Sequence, residues 1–140
     1  MPFLQLYGPA DLCFVPITVG TGSLQRLQEL GAALAKVVSN LAPGALIISS
    51  SDMNHYESDA ITRVKDNKAI DRILAMDPEG LFDVVTHENI SMCGYGPTVA
   101  MLTAAKLLGA ARAELVKYAT SGDVSLDFDH VVGYAGIIVF

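Results

Sequence analysis

The segment that decides the fold is "ALIISSSDMNHY", residues 45–56. It begins with a nearly continuous apolar run at residues 45–50 and continues with Asp52 and His55, which are three residues apart. A short run without polar alternation is typical of a strand that is covered on both faces. Because ligand sites in open α/β sheets lie beyond the carboxyl ends of strands, the polar residues that follow predict a site at the end of a sheet.

Three further runs carry the pattern of strands. They lie at residues 11–19, 112–119 and 131–140. Pro16 interrupts the first run, and proline cannot donate a ladder hydrogen bond. We therefore expect the first strand to lie at an edge of the sheet or to carry a bulge.

Helical patterns lie between these strands. Apolar residues at helical spacing predict an amphipathic helix over residues 24–40, with Ser23 as its N-cap. Three more helices are predicted to begin at Asp66, at Asp77-Pro78 and at Pro97. Strands that alternate with helices indicate an α/β fold. We predict one domain over residues 1–140, with a central, mostly parallel sheet flanked by helices.

Composition limits the class of protein. A chain of 140 residues with 51% hydrophobic and 17% charged residues suits one folded domain. The net charge of -6 argues against a broad surface for nucleic acid or for an anionic membrane. No secretory signal and no apolar stretch of about 18 residues is visible, so we expect a cytoplasmic protein. In that compartment Cys13 and Cys93 would be free thiols.

The two cysteines have different surroundings. Cys13 lies within "LCFVPI" and is predicted to be a small buried hydrophobe. Cys93 lies within "SMCGYGP", just before a predicted helix. Backbone N–H groups at a helix N-terminus favour anions, which supports Cys93 as a nucleophile or a metal ligand. The alternative is a buried free cysteine in a tight loop.

Asp52 and His55 form a second candidate pair. A carboxylate that accepts from one imidazole nitrogen fixes the tautomer and leaves the other nitrogen to act as base or ligand. The alternative is an Asp that forms a turn and a histidine exposed in a loop. With Cys93, the pair has the parts for nucleophilic catalysis or for a site that suits iron, copper or zinc.

We interpret most of the other polar residues as surface residues. We interpret His87 as a residue near a helix C-terminus and Asp123 as part of a turn with Ser121 and Gly122. His130 lies in an acidic loop, where a role in a site is the less favoured interpretation. A solvated face is the preferred interpretation of "TRVKD", which contains Arg63, Lys65 and Asp66.

Seven stretches, in this order, cover nearly the whole chain: "PFLQ", "VPITVG", "IISSSDMNHY", "AIDRILAMDPEGLFD", "MCGYGPTVAMLTAAKLLGA", "ELVKYATSGDV" and "VVGYAGIIVF". Together they resemble the Memo-like family (AmmeMemoRadiSam system protein B), which is related in fold to class III extradiol dioxygenases. The resemblance implies a pocket that holds non-heme iron or copper in some members. It implies that Cys93 is a metal ligand and that Asp52 and His55 are catalytic pocket residues.

The same resemblance implies that this chain matches the C-terminal half of the family domain. The family's other pocket histidines are then absent, and the metal site is expected to be incomplete unless a homo-oligomer completes the fold. The expected partners are a radical SAM protein and an AMMECR1-like protein of one pathway. Three functions stay open: a metal-dependent dioxygenase-like or redox enzyme, a peptide- or protein-binding module without catalysis, and a truncated remnant without an intact site.

Overall fold

The computed structural model describes residues 2–42 and 44–140 and shows an α/β protein. Its elements in chain order are α1 (Pro2–Tyr7), α2 (Leu24–Leu41), β1 (His55–Glu57), α3 (Asp59–Leu74), α4 (Pro78–His87), α5 (Tyr95–Leu107), β2 (Ala113–Thr120), α6 (Gly122–Ser125) and β3 (Val131–Val139). None of the helices in the described ranges is both long and apolar enough to span a membrane.

The sheet has three strands in the order β1-β3-β2, and both strand pairs are antiparallel. The prediction of a mostly parallel sheet is therefore wrong for the described part of the chain. The physical reason is the connection between β2 and β3, which contains only the short α6. Parallel neighbours need a crossover of a dozen or more residues, whereas a shorter connection joins antiparallel neighbours.

The strands predicted at residues 11–19 and 45–50 do not form. Backbone groups of residues 13–22 and 46–51 make no hydrogen bond to the backbone of any other described residue. An apolar run becomes a strand only where a neighbouring strand pairs with its backbone groups. These two segments instead expose large apolar side chains, among them Phe14, Val15, Leu46 and Ile48.

The hydrophobic core lies around α5. This helix packs against α2 and α4, while α3 packs against α4 and the sheet. Fully buried side chains from these helices fill the space between them, namely Leu27, Ile70, Leu81, Val99 and Leu102. The helices predicted over residues 24–40, after Asp77 and near Pro97 are thus confirmed, because their apolar periodicity matches the faces that they bury.

The predicted start of α3 is wrong. The helix begins at Asp59 rather than at Asp66, so Asp66 lies in its middle and is buried. Capping by Asp66 fails because its side chain faces inward, toward β2 and β3, instead of toward free N–H groups at a helix end. The residues before it, 59–65, form the first turns of α3.

Candidate functional site

Two loops build the candidate site. One precedes β1 and carries Asp52, and the other precedes α5 and carries Cys93; His55 is the first residue of β1. One ligand atom from each of these three residues lies within 4.8 Å of the other two. Asp52 and His55 are partly buried, and Cys93 is exposed at the surface. The structure therefore brings together the three residues that the sequence singled out.

The imidazole of His55 is fixed by a backbone carbonyl. Its Nδ1 lies 2.5 Å from the carbonyl oxygen of Ser91. A carbonyl oxygen only accepts hydrogen bonds, so Nδ1 carries the proton and Nε2 of the neutral ring keeps its lone pair. Nε2 lies 3.6 Å from Oδ2 of Asp52. The carbonyl of Ser91, rather than Asp52, thus sets the tautomer and leaves a free nitrogen facing the other two candidate ligands.

Cys93 is held against the backbone of the opposite loop. Its Sγ accepts a hydrogen bond from the backbone N–H of Asp52 at 3.3 Å. The loops approach this closely because residue 94 is glycine: a Cβ there would lie 2.5 Å from Cβ of Ser51. This backbone donor fixes the position of the sulfur atom, and sulfur in its thiolate form is a metal ligand.

Asn54 and Ser91 also belong to the site, although neither was selected from the sequence. Asn54 is fully buried, and its Oδ1 accepts from both the N–H and the hydroxyl of Ser91 at 3.0 Å. The same hydroxyl accepts from the backbone N–H of His55 at 2.7 Å. The only sequence signal was that both residues lie within two positions of a candidate ligand.

Asp66 supports this arrangement from inside the protein. Its Oδ1 accepts from the backbone N–H of Asn54 at 2.8 Å, and its Oδ2 accepts from the hydroxyl of Tyr118 at 2.7 Å. Burial raises the pKa of Asp66, and the hydrogen bonds from Tyr118 and Asn54 oppose that rise. Burial and the contact with Asp66 also raise the pKa of Tyr118. The predicted solvated face is therefore wrong for Asp66.

Arg63 and Lys65 make ion pairs near the surface instead of contacting the candidate ligands. Arg63 Nε lies 2.7 Å from Asp59 Oδ2, and Lys65 Nζ lies 2.6 Å from Glu57 Oε2. Hydrogen bonds from Lys65 and then Asn54 lower the pKa of Glu57. Those from Arg63 and Thr120 lower the pKa of Asp59. For these two basic residues the interpretation as a polar surface holds.

The remaining candidates lie outside the site. Asp123 accepts from the backbone N–H of Thr120 at 2.8 Å, as a turn residue does, and also pairs with Arg63. His87 is exposed in the last turn of α4, as predicted, and His130 is exposed before β3. Cys13 is exposed, so its predicted burial is wrong, because no described element covers the segment around it.

The profile of the family described as Memo-like protein matches residues 1–138. The chain belongs to the Memo-like protein family. Its sequence is 48% identical to a MEMO1 family protein of Methanosarcina mazei over 99% of this chain and 52% of that protein. It is 44% identical to the MEMO1 family protein MK0963 of Methanopyrus kandleri over 99% of this chain and 49% of that protein. The family assignment from sequence is thus confirmed, and the chain spans about half the length of these relatives.

The donor set of the site suits a particular class of metal. It offers a thiolate sulfur, an imidazole nitrogen and a carboxylate oxygen, and each of these atoms lies within 4.8 Å of the other two. Thiolate and imidazole ligands select iron, copper or zinc over magnesium and calcium. Three protein ligands also leave a coordination position open, as catalytic sites do. Among the described residues this is the one group of three such ligands that forms a potential metal site.

Proposed function

We propose that this Memo-like chain holds a redox-active transition metal ion, iron or copper, through Cys93, His55 and Asp52. The observation that carries the proposal is the meeting of their three ligand atoms within 4.8 Å, on two loops 41 residues apart in sequence. In a metal site of this kind the protein supplies sulfur and nitrogen ligands and leaves a coordination position open for a substrate or for oxygen.

His55 has two roles open to it within this proposal. Its unprotonated Nε2 faces Asp52 at 3.6 Å, which places it to ligate the ion. The same atom would serve as a general base if Cys93 held the ion with ligands from elsewhere. Ligation is favoured, because a proton on Nδ1 that is fixed by a carbonyl is the usual second-shell arrangement of a metal-bound histidine.

A bound iron or copper ion would supply redox chemistry related to that of the extradiol dioxygenases. This chain's own residues would prepare the site for it. The backbone N–H of Asp52 holds the sulfur of Cys93 in place, and the carbonyl of Ser91 orients the ring of His55. One histidine, one carboxylate and one thiolate differ from the two-histidine, one-carboxylate set of many non-heme iron oxygenases.

The two free cysteines give a matched test. Cys93→Ser removes the proposed ligand, whereas Cys13→Ser changes an exposed cysteine far along the chain. We expect the unaltered chain to bind one Co²⁺ ion with a sulfur-to-metal charge-transfer band. Cys13→Ser should keep the band. Cys93→Ser should lose the band and bind Co²⁺ at least about 100-fold more weakly, a larger loss than the mutation of an outer-shell partner causes. Equal Co²⁺ binding by both variants, or none by the unaltered chain, would contradict the proposal and favour a metal-free binding module.

We also propose that residues 13–22 and 46–51 are strands of a larger sheet that the rest of the family domain completes. Three observations support this. The backbone groups of both segments are unpaired among the described residues. Their side chains at Phe14, Val15 and Leu46 are 61%, 85% and 78% exposed. The relatives are about twice as long as this chain. Apolar residues exposed next to unpaired strands mark a surface that binds protein.

Hydrogen exchange can test this second proposal. The amides of residues 13–22 and 46–51 should exchange freely in the chain alone. They should become protected when the chain is mixed with a polypeptide that covers the remaining part of the Methanopyrus kandleri relative. Protection in the chain alone at high concentration, together with a doubled mass, would point to a second copy instead. Free exchange in the mixture would contradict the proposal.

A further inference from the structure

We propose that Asn54 is a positioning residue of the metal site, which fixes the loop of Asp52 and His55 to the loop of Cys93. This inference rests on the proposed metal function, since it assigns the side chain that sets the geometry of that site. Asn54 is fully buried, and its side chain bonds to Glu57, Thr62 and Ser91 and to none of the three ligands, so its role is to position and not to ligate.

Every hydrogen-bonding group of Asn54 is occupied. The side-chain Nδ2 donates to Glu57 Oε2 at 2.7 Å and to Thr62 Oγ1 at 3.3 Å. The side-chain Oδ1 accepts twice from Ser91. The backbone carbonyl accepts from Gly133 N at 3.0 Å. A fully satisfied buried amide holds its partners in one arrangement, because any shift leaves a buried polar group unpaired.

The bonds to Ser91 reach the proposed ligands directly. Asn54 fixes both the N–H and the hydroxyl of Ser91, and the carbonyl of Ser91 in turn fixes Nδ1 of His55. Cys93 follows Ser91 by two residues. One amide oxygen therefore holds the residue whose carbonyl sets the tautomer of His55 and whose loop carries the sulfur.

The other bonds of Asn54 tie it to rigid elements. Its backbone N–H donates to Asp66 on α3, and its backbone carbonyl accepts from Gly133 on β3. Both elements belong to the packed part of the protein. When side chains on helices and strands support the metal-binding residues, those residues keep their geometry before the metal ion binds.

The test compares Asn54→Ala with Ile73→Ala. Ile73 is buried on the same helix as Asp66, about two turns further along, and its side chain has no hydrogen-bonding group. Its truncation therefore destabilises the core without removing a hydrogen bond from either loop. We expect Asn54→Ala to lower Co²⁺ affinity by about 10–100-fold, as loss of an outer-shell partner does. Nitrogen-15 NMR of His55 should change from the Nδ1–H form to a mixture of tautomers. Ile73→Ala should leave both readouts unchanged.

A second pair of variants covers the case in which Asn54→Ala does not fold. Ser91→Ala removes the hydroxyl that bonds to Asn54 and His55, and Ser91→Thr keeps it. Ser91→Ala should weaken Co²⁺ binding and leave His55 in a mixture of tautomers. Ser91→Thr should keep the Co²⁺ affinity and the Nδ1–H tautomer of the unaltered chain. Wild-type tautomer and affinity in every folded variant would overturn the proposal. If the unaltered chain binds no Co²⁺, the proposed metal function fails, and the tautomer of His55 alone still decides the positioning role.

Discussion

Nδ1 of His55 donates to the carbonyl oxygen of Ser91, 2.5 Å away and two residues before Cys93. This hydrogen bond joins the two sides of the site and places the proton of the ring on Nδ1. The lone pair of the ring lies on Nε2, on the side of Asp52. A histidine that is fixed in this way can accept a metal ion without first changing its tautomer.

His87 is a matched control for the ligand role of His55. Its Nδ1 also lies near a backbone carbonyl, that of Asp83 at 2.8 Å, but on the exposed end of α4. We expect His55→Ala to lower Co²⁺ affinity by at least about 100-fold and His87→Ala to leave it unchanged. Isothermal titration with Co²⁺ measures both. Full affinity in His55→Ala would remove His55 from the ligand set and leave it the role of general base.

Gly133 on β3 gives a prediction about the support of the site. A Cβ at this position would lie 1.8 Å from Oδ2 of Asp66, so the carboxylate or the strand must move. We expect Gly133→Ala to lower the free energy of unfolding by about 2–5 kcal/mol, through overpacking and lost hydrogen bonds.

Gly136 on the same strand is the control for this substitution. The nearest atom that its Cβ would meet is the carbonyl oxygen of Lys117 at 4.0 Å. Gly136→Ala should therefore change the free energy of unfolding by less than about 1 kcal/mol. Urea unfolding of both variants measures the difference, and equal stabilities would show that Asp66 can move at little cost.

The sequence predicted the three candidate ligands because each one lies where an element begins or ends. It also predicted α2, α4, α5, β2 and β3, whose residue patterns agree with the faces that they bury. Local patterns do not determine which strands pair. The segments at residues 11–19 and 45–50 have strand-like sequences but no partner among the described residues, so the parallel sheet was wrong.

Asn54 and Asp66 show a different limit of sequence analysis. Polar residues in a sequence are predicted at the surface, and both are buried here. Their burial depends on partners that are distant in sequence, Ser91 for Asn54 and Tyr118 for Asp66. Such pairs are visible only once the chain has folded, because no local period marks them.

Tyr118 tests how much the hydrogen bond to Asp66 contributes to stability. Tyr118→Phe removes the hydroxyl that donates to Oδ2 at 2.7 Å and keeps the ring next to Arg63. Loss of a donor to a buried carboxyl should cost about 1–3 kcal/mol. Tyr134→Phe changes a tyrosine on β3 that is 45% exposed and should cost little. Denaturant midpoints of both variants give the comparison, and an equal loss in both would contradict the assigned bond.

Asp66 also predicts how stability depends on pH. Burial raises the pKa of Asp66 above its ordinary value of 3.8, although the hydrogen bonds from Tyr118 and Asn54 and the more distant charge of Arg63 oppose the rise. Folding therefore favours the protonated form of Asp66 relative to the unfolded chain. Its contribution to stability is complete below pH 3.8 and is lost as the pH rises through the raised pKa of the folded state.

Asp66→Asn removes this titration and keeps the shape of the side chain. The stability of the unaltered chain relative to Asp66→Asn should therefore fall from pH 3.8 upward and become constant above the raised pKa. Glu57 and Asp59, whose pKa values are lowered, contribute the opposite trend. They are present in both proteins and cancel in the difference. Urea unfolding at a series of pH values measures it, and a difference that rises with pH would mean that the hydrogen bonds to the carboxylate outweigh its burial.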